Sequence, residues 1–92
     1  MNILIVEDEA ALAEAVGHIL RKAGHTADWV DDGQSALDYI RLASYDLVIL
    51  DIMLPKLDGL SVLRQIRKEK IQTPVLMLTA RTTVPDKVEG LN

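Results

Sequence analysis

The chain has 92 residues, 49% hydrophobic and 3% aromatic, with no cysteine, no phenylalanine and a formal net charge of -4. That length suits one small domain with a single modest core, and the composition excludes disulfides, thiolate metal ligands and thiol nucleophiles. Basic residues are scattered apart from Arg64, Arg67, Lys68 and Lys70, which argues against direct nucleic-acid binding by this segment. No apolar run approaches the ~20 residues that a membrane span needs. Residues 1–6 lead straight into acids rather than through a secretory leader, so a cytoplasmic location is expected.

Residues 2–6 are short and apolar, as in a strand covered on both faces. A helix is predicted over residues 9–23, with Leu12, Val16, Ile19, Leu20 and Ala23 on one stripe. Asp8 or Glu9 is placed to cap it, and Gly24 to end it. Residues 25–30 read as a weaker strand whose best formers are Thr26, Trp29 and Val30, with Trp29 packing at the sheet margin. Asp32-Gly33 reads as a turn into a helix over 34–43 that buries Ala36, Leu37 and Ile40. The strongest strand is 46–50. A loop with Pro55 and Asp58-Gly59 follows, then a helix over 59–69 with Leu60, Leu63 and Ile66 or Arg67 at helical spacing. Thr73-Pro74 restarts the chain as a strand over 75–78. Beyond it Thr83, Pro85 and Asp86 have the pattern of a helix start, with Val88 and Leu91 as apolar contacts.

The order βαβαβαβ plus a partial helix predicts an α/β fold: a parallel sheet with right-handed crossovers and helices on both faces. Such sheets bind ligands beyond the carboxyl ends of their strands. Three apolar runs end there in reactive groups: residues 3–6 in Glu7-Asp8, 47–50 in Asp51, and 75–78 in Thr79. Singly, Glu7-Asp8 also reads as an ordinary strand-end turn, Asp51 as a loop cap and Thr79 as structural. Together, on adjacent strands, they point to a metal and phosphoryl site.

Crowded carboxylates repel one another, and a hard divalent cation such as Mg²⁺ (or Mn²⁺) relieves that repulsion. Asp8 and Asp51 are the expected direct ligands, Glu7 a direct or water-bridged one, and the Met53 backbone carbonyl a further one. Asp51 is the expected nucleophile, attacking phosphorus in line to give an acyl phosphate. The Thr79 hydroxyl and the N–H groups of Ile52, Met53 and Ala80 would serve the phosphoryl oxygens. The Met53 side chain is placed to limit water access to Asp51, while Lys56 is expected to be exposed. His18 and His25 have no third ligand for zinc, and no phosphate-binding glycine loop is present. Asp51-Ile52-Met53 lacks the second acid of haloacid-dehalogenase phosphatases, which disfavours a turnover phosphatase.

The segments 3–9 (ILIVEDE), 46–59 (DLVILDIMLPKLDG) and 73–81 (TPVLMLTAR) together resemble the receiver domain of a bacterial two-component response regulator, and the resemblance covers the whole chain. Residues 81–91 resemble the OmpR/PhoB subfamily, whose members usually carry a C-terminal winged-helix DNA-binding domain. The resemblance implies a flavodoxin-like (CheY-like), doubly wound, three-layer fold with strand order 2-1-3-4. It implies that Asp51 accepts phosphate from the histidine of a sensor kinase, with Thr79 as switch hydroxyl and Mg²⁺ held by Glu7, Asp8, Asp51 and the Met53 carbonyl. Pro55 and Gly59 would shape the neighbouring loop, and residues 11–15 would belong to the kinase-docking surface. Self-catalysed phosphotransfer and dephosphorylation, regulating a transcriptional output in a parent protein, are implied as well. A full receiver also carries a fifth strand, a fifth helix, a phosphoryl-pairing lysine and a switch aromatic. A truncated receiver is therefore expected, with an edge near residues 75–78 open to self-association. The alternative is an inert, self-associating fragment.

Overall fold

The computed structural model of the chain describes residues 1–78. These form β1 (Asn2–Val6), α1 (Ala10–Lys22), β2 (Thr26–Val30), α2 (Gly33–Leu42), β3 (Leu47–Asp51), α3 (Gly59–Lys68) and β4 (Val75–Leu78). The seven elements match the sequence expectation closely. The helix start predicted at Thr83, Pro85 and Asp86, with Val88 and Leu91, lies outside the described residues.

All strand pairs are parallel, in the order β2-β1-β3-β4. β1 and β3 are central and apolar on both faces, so alternate side chains build two layers. Leu4, Val6, Val30, Val48 and Leu50 meet Ala36, Leu37 and Ile40 of α2 and Val62 and Ile66 of α3 in the main core. Ile5 is in register with Trp29 and with Ile49, and these three belong to the opposite face, which carries α1. The result is a three-layer αβα fold of the flavodoxin/CheY type. Among the described residues, no helix is long and apolar enough to cross a membrane.

In α1 the closest approach falls beside the expected stripe, whereas α3 buries the expected Ile66 and packs Leu63 against the core. In α1 the buried residues are Ala13 and Gly17 rather than the Leu12–Val16–Ile19 stripe, and Ile19 is 65% exposed. The helix approaches the sheet through its smallest side chains, which leaves the larger apolar ones at the margin of the contact. In α3, Val62 and Ile66 enter the core while Leu60 remains 44% exposed.

Asp32 and Asp58 each begin a helix rather than merely turning the chain. The Asp32 Oδ1 accepts the Ser35 N–H at 2.7 Å, and the Asp58 Oδ1 accepts the Ser61 N–H at 2.9 Å. The glycine that follows each is required by close approach. A Cβ on Gly33 would run into the Leu57 carbonyl, and one on Gly59 would lie 2.8 Å from the Ile52 Cα and against the Asp51 carbonyl. The start of α3 is thereby pressed onto the end of β3, and the Gly59 N–H donates to the Ile52 carbonyl at 2.8 Å. Across the sheet from the site, α2 and α3 are tied together by Arg41, whose Nε and Nη2 donate to the Glu69 carboxylate at 3.0 and 2.5 Å.

Candidate metal centre

β1 and β3 are neighbours, with Val6 opposite Leu50, so the residues that follow them emerge side by side. Ligand oxygens of Glu7, Asp8 and Asp51 lie within 4.8 Å of one another. Glu7 and Asp51 are each only 2% exposed, whereas Asp8 faces solvent. Two buried acids and one exposed acid in that space form a pocket of negative charge with an opening to water. Such groups rarely sit at the margin of a core without an offsetting charge.

The electrostatics follow from this crowding. Burial, reinforced by the negative charge of Asp51, pushes the Glu7 carboxyl above the ordinary carboxylate range, although the Glu9 N–H works against the shift. That N–H donates to the Glu7 Oε2 at 3.0 Å. Of the two expected caps on α1, Glu9 is the N-cap residue, and its side chain makes no capping bond. The Asp51 Oδ1 accepts the Met53 N–H at 3.3 Å. The donor set is all oxygen and doubly buried, which fits a hard divalent cation and not a thiophilic one.

The remaining expected residues are placed as follows. The Met53 side chain is 56% exposed beside the acids. Ile52, expected as an amide donor to the site, instead sends its N–H to the Leu78 carbonyl at 3.3 Å, because the β3–β4 ladder runs one residue past the strand. Thr79 and Ala80 lie outside the described residues. Lys56 is exposed, and its ammonium stands 3.7 Å from the Asp32 carboxylate. His18 is exposed and His25 Nδ1 contacts the N-terminal amine at 3.1 Å, so neither approaches the acids. An open cleft of about 720 Å³ extends from Asp8 along residues 52–55 to Asp58, Leu60 and Arg64.

One connection was not readable as a motif. The Trp29 indole Nε1–H donates to the Glu7 backbone carbonyl at 2.7 Å, which links the sheet's outer strand β2 to a buried acid of the cluster.

Residues 3–92 match the family described as response regulator receiver domain. The chain is 48% identical, over its full length, to the transcriptional regulatory protein DltR of Streptococcus agalactiae, of which it covers 41%. It thus spans about two fifths of the length of that curated relative. The receiver domain of the sensor histidine kinase PA1611 of Pseudomonas aeruginosa was solved with a magnesium ion coordinated in its active site cleft. It aligns with a TM-score of 0.85 at 32% identity, over 95% of this chain and 73% of that one. A chain from the complex of histidine kinase ThkA with response regulator protein TrrA of Thermotoga maritima aligns with a TM-score of 0.80 at 39% identity, over 86% of this chain and 68% of that one. A parallel sheet in the order 2-1-3-4, acids converging at the ends of β1 and β3, and a family match across nearly every residue lead to one assignment: this chain belongs to the response regulator receiver domains.

Proposed function

We propose that these 92 residues form one receiver domain that accepts a phosphoryl group on Asp51 from the histidine of a sensor kinase. A divalent cation, Mg²⁺ or Mn²⁺, would be held by Glu7, Asp8, Asp51 and the Met53 carbonyl. The observation that carries this reading is the meeting of three carboxylates within 4.8 Å, two of them buried. The bound ion supplies positive charge against the phosphoryl oxygens. Asp51 acts as nucleophile: its carboxylate oxygen forms the new bond to phosphorus as the bond to the donor's leaving group breaks. Asp8, exposed at the cleft mouth, would offer the cation a carboxylate open to solvent. Glu7 is buried and fixed by Glu9, so it holds its position without reorganising. The Met53 N–H steadies the Asp51 carboxylate, and the Thr79 hydroxyl and Ala80 N–H are the further groups we assign to the phosphoryl oxygens.

The kinase as partner is supported by the ThkA–TrrA complex, and residues 11–15 on α1 are the docking surface we assign to it. Assignment to the OmpR/PhoB subfamily, with a DNA-binding output regulated in a longer cytoplasmic protein, is supported by the name of DltR and by residues 81–91. The test is to incubate the chain with Mg²⁺ and acetyl phosphate and map the base-labile, hydroxylamine-sensitive phosphate by mass spectrometry. Phosphate on the Asp51 peptide, lost in Asp51→Asn, is the expected result. No incorporation, or the same incorporation in Asp51→Asn, would overturn it.

A second property rests on β4. Among the described residues it is one of two outer strands, and Leu76 on it is 52% exposed, which favours self-association at residues 75–78. Light scattering over a concentration series checks this, and a monomer at every concentration would refute it.

A further inference from the structure

Glu7 is held from β2 at both polar groups of its backbone. Its N–H donates to the Val30 carbonyl at 3.1 Å, one step past the last registered pair, Val6 with Val30. If the parallel ladder continued, the Glu7 carbonyl would accept the N–H of Asp32. By that point the chain has turned away, and Asp32 is the N-cap of α2. The Trp29 indole N–H takes up that carbonyl instead, at 2.7 Å. The side chain of one β2 residue thus continues a ladder that the β2 backbone has left.

Packing alone does not account for this tryptophan. It is 46% exposed, so much of the apolar surface that would reward burial stays in water. The ring borders a groove of about 370 Å³, where Ala10, Ala13 and Gly17 of α1 leave room for it beside Ile5. The indole N–H lies in the partly buried portion. At the other end of Glu7, the Oε2 accepts the Glu9 N–H at 3.0 Å. The carboxylate is thus carried by a backbone held from β2 and steadied by Glu9, which leaves it beside Asp51.

We propose that Trp29 is a positioning residue for the metal centre: its indole N–H, by holding the Glu7 carbonyl from the β2 edge, sets where the Glu7 carboxylate stands relative to Asp8 and Asp51. This rests on the cation reading given above. Cation affinity is then sensitive to a hydrogen bond made on the far side of Glu7, by a residue that touches none of the ligating oxygens.

The test uses calorimetric titration of the chain with Mg²⁺ alone. Three proteins are compared: the native sequence, Trp29→Phe, and the chain carrying 3-benzothienylalanine at position 29, which keeps the bicyclic ring and replaces N–H by sulfur. Both altered chains should bind Mg²⁺ about ten-fold more weakly, the loss typical for an outer-shell partner of a metal ligand. Their melting temperatures should fall by a few degrees and equally in the two, as one lost hydrogen bond requires. Because Trp29 is the sole tryptophan, its emission in the native chain should change with Mg²⁺ along the same saturation curve. Native affinity in the benzothienyl protein overturns the inference and leaves the cation reading intact. No Mg²⁺ binding by the native chain overturns both. Should Trp29→Phe fail to fold, the benzothienyl protein decides alone.

Discussion

Three helices leave the same edge of the sheet, and the acids at their starts are used in two ways. α2 and α3 both begin Asp-Gly-x-Ser, and in each the aspartate accepts the serine N–H. That bond, before any other cause, holds the Asp32 and Asp58 carboxyls below the ordinary carboxylate range. The start of α1 is richer in acid, with Glu7, Asp8 and Glu9 in a row, yet its N-cap residue, Glu9, makes no side-chain capping bond. There burial and a neighbouring charge push the Glu7 carboxyl upward instead. Where helix N–H groups neutralise an acid, the acid is structural. Where acids are turned toward one another, burial and like charge act on the group, and the cluster is suited to a cation.

The largest effect should come from the structural kind of start. Gly33→Ala would force a Cβ against the Leu57 carbonyl, with the Leu57 carbonyl carbon at 2.7 Å. Backbone on both sides must move, so a loss of about 3 kcal/mol in urea denaturation is expected. A loss below about 0.5 kcal/mol would mean that the junction of α2 with the loop before α3 is not rigid.

Next comes a crossed pair of substitutions. Asp8→Asn should weaken Mg²⁺ binding by about 100-fold, the upper end of what loss of an outer-shell partner costs, while leaving the folded state as stable as before or slightly more so, since a like charge is removed. Asp32→Ala should do the reverse. It removes a cap that is only 6% exposed and should cost about 1 kcal/mol, with Mg²⁺ affinity unchanged. If both variants lost stability and neither lost affinity, the acids at α1 would be ordinary caps after all.

The elements were readable because β1 and β3 are uninterrupted apolar runs and because Asp-Gly pairs punctuate the chain before α2 and α3. Once the strands are parallel neighbours, the convergence of Glu7, Asp8 and Asp51 follows from their places at the strand ends. Helix faces were less readable. Periodicity finds the apolar side of α1 but not the closest approach, which falls on Ala13 and Gly17. The glycines of the two Asp-Gly pairs read as turn residues, whereas their need arises from contacts with Leu57 and Asp51 that only the assembled layers create. The Trp29–Glu7 bond spans 22 positions and joins a side chain to a backbone group. Its one sequence signal is a tryptophan in a strand register that ends beside an acid.

The smallest effect concerns the far end of α2 and α3 and sets a baseline for the others. Hydrogen bonds from Arg41 and then Gln65 hold the Glu69 carboxyl at about 2, against an ordinary value of 4.5. A depressed carboxyl stabilises the fold when ionised, so its contribution is complete above the unfolded-state value near 4.5. It is lost as the pH falls toward about 2. The pair is solvent-exposed, so the whole effect should be modest and should shrink in salt. Glu69→Gln keeps the shape and removes the titration. Measured with a chelator present, the difference in melting temperature between it and the native chain should be constant above pH 4.5 and should close as the pH approaches 2. Asp32 and Asp58 titrate in the same direction in both proteins and cancel from the difference. A difference that instead widened on acidification would mean that Arg41 stabilises the α2–α3 contact without Glu69. The acid sensitivity of the fold would then lie entirely with the capping aspartates at the opposite end of the sheet.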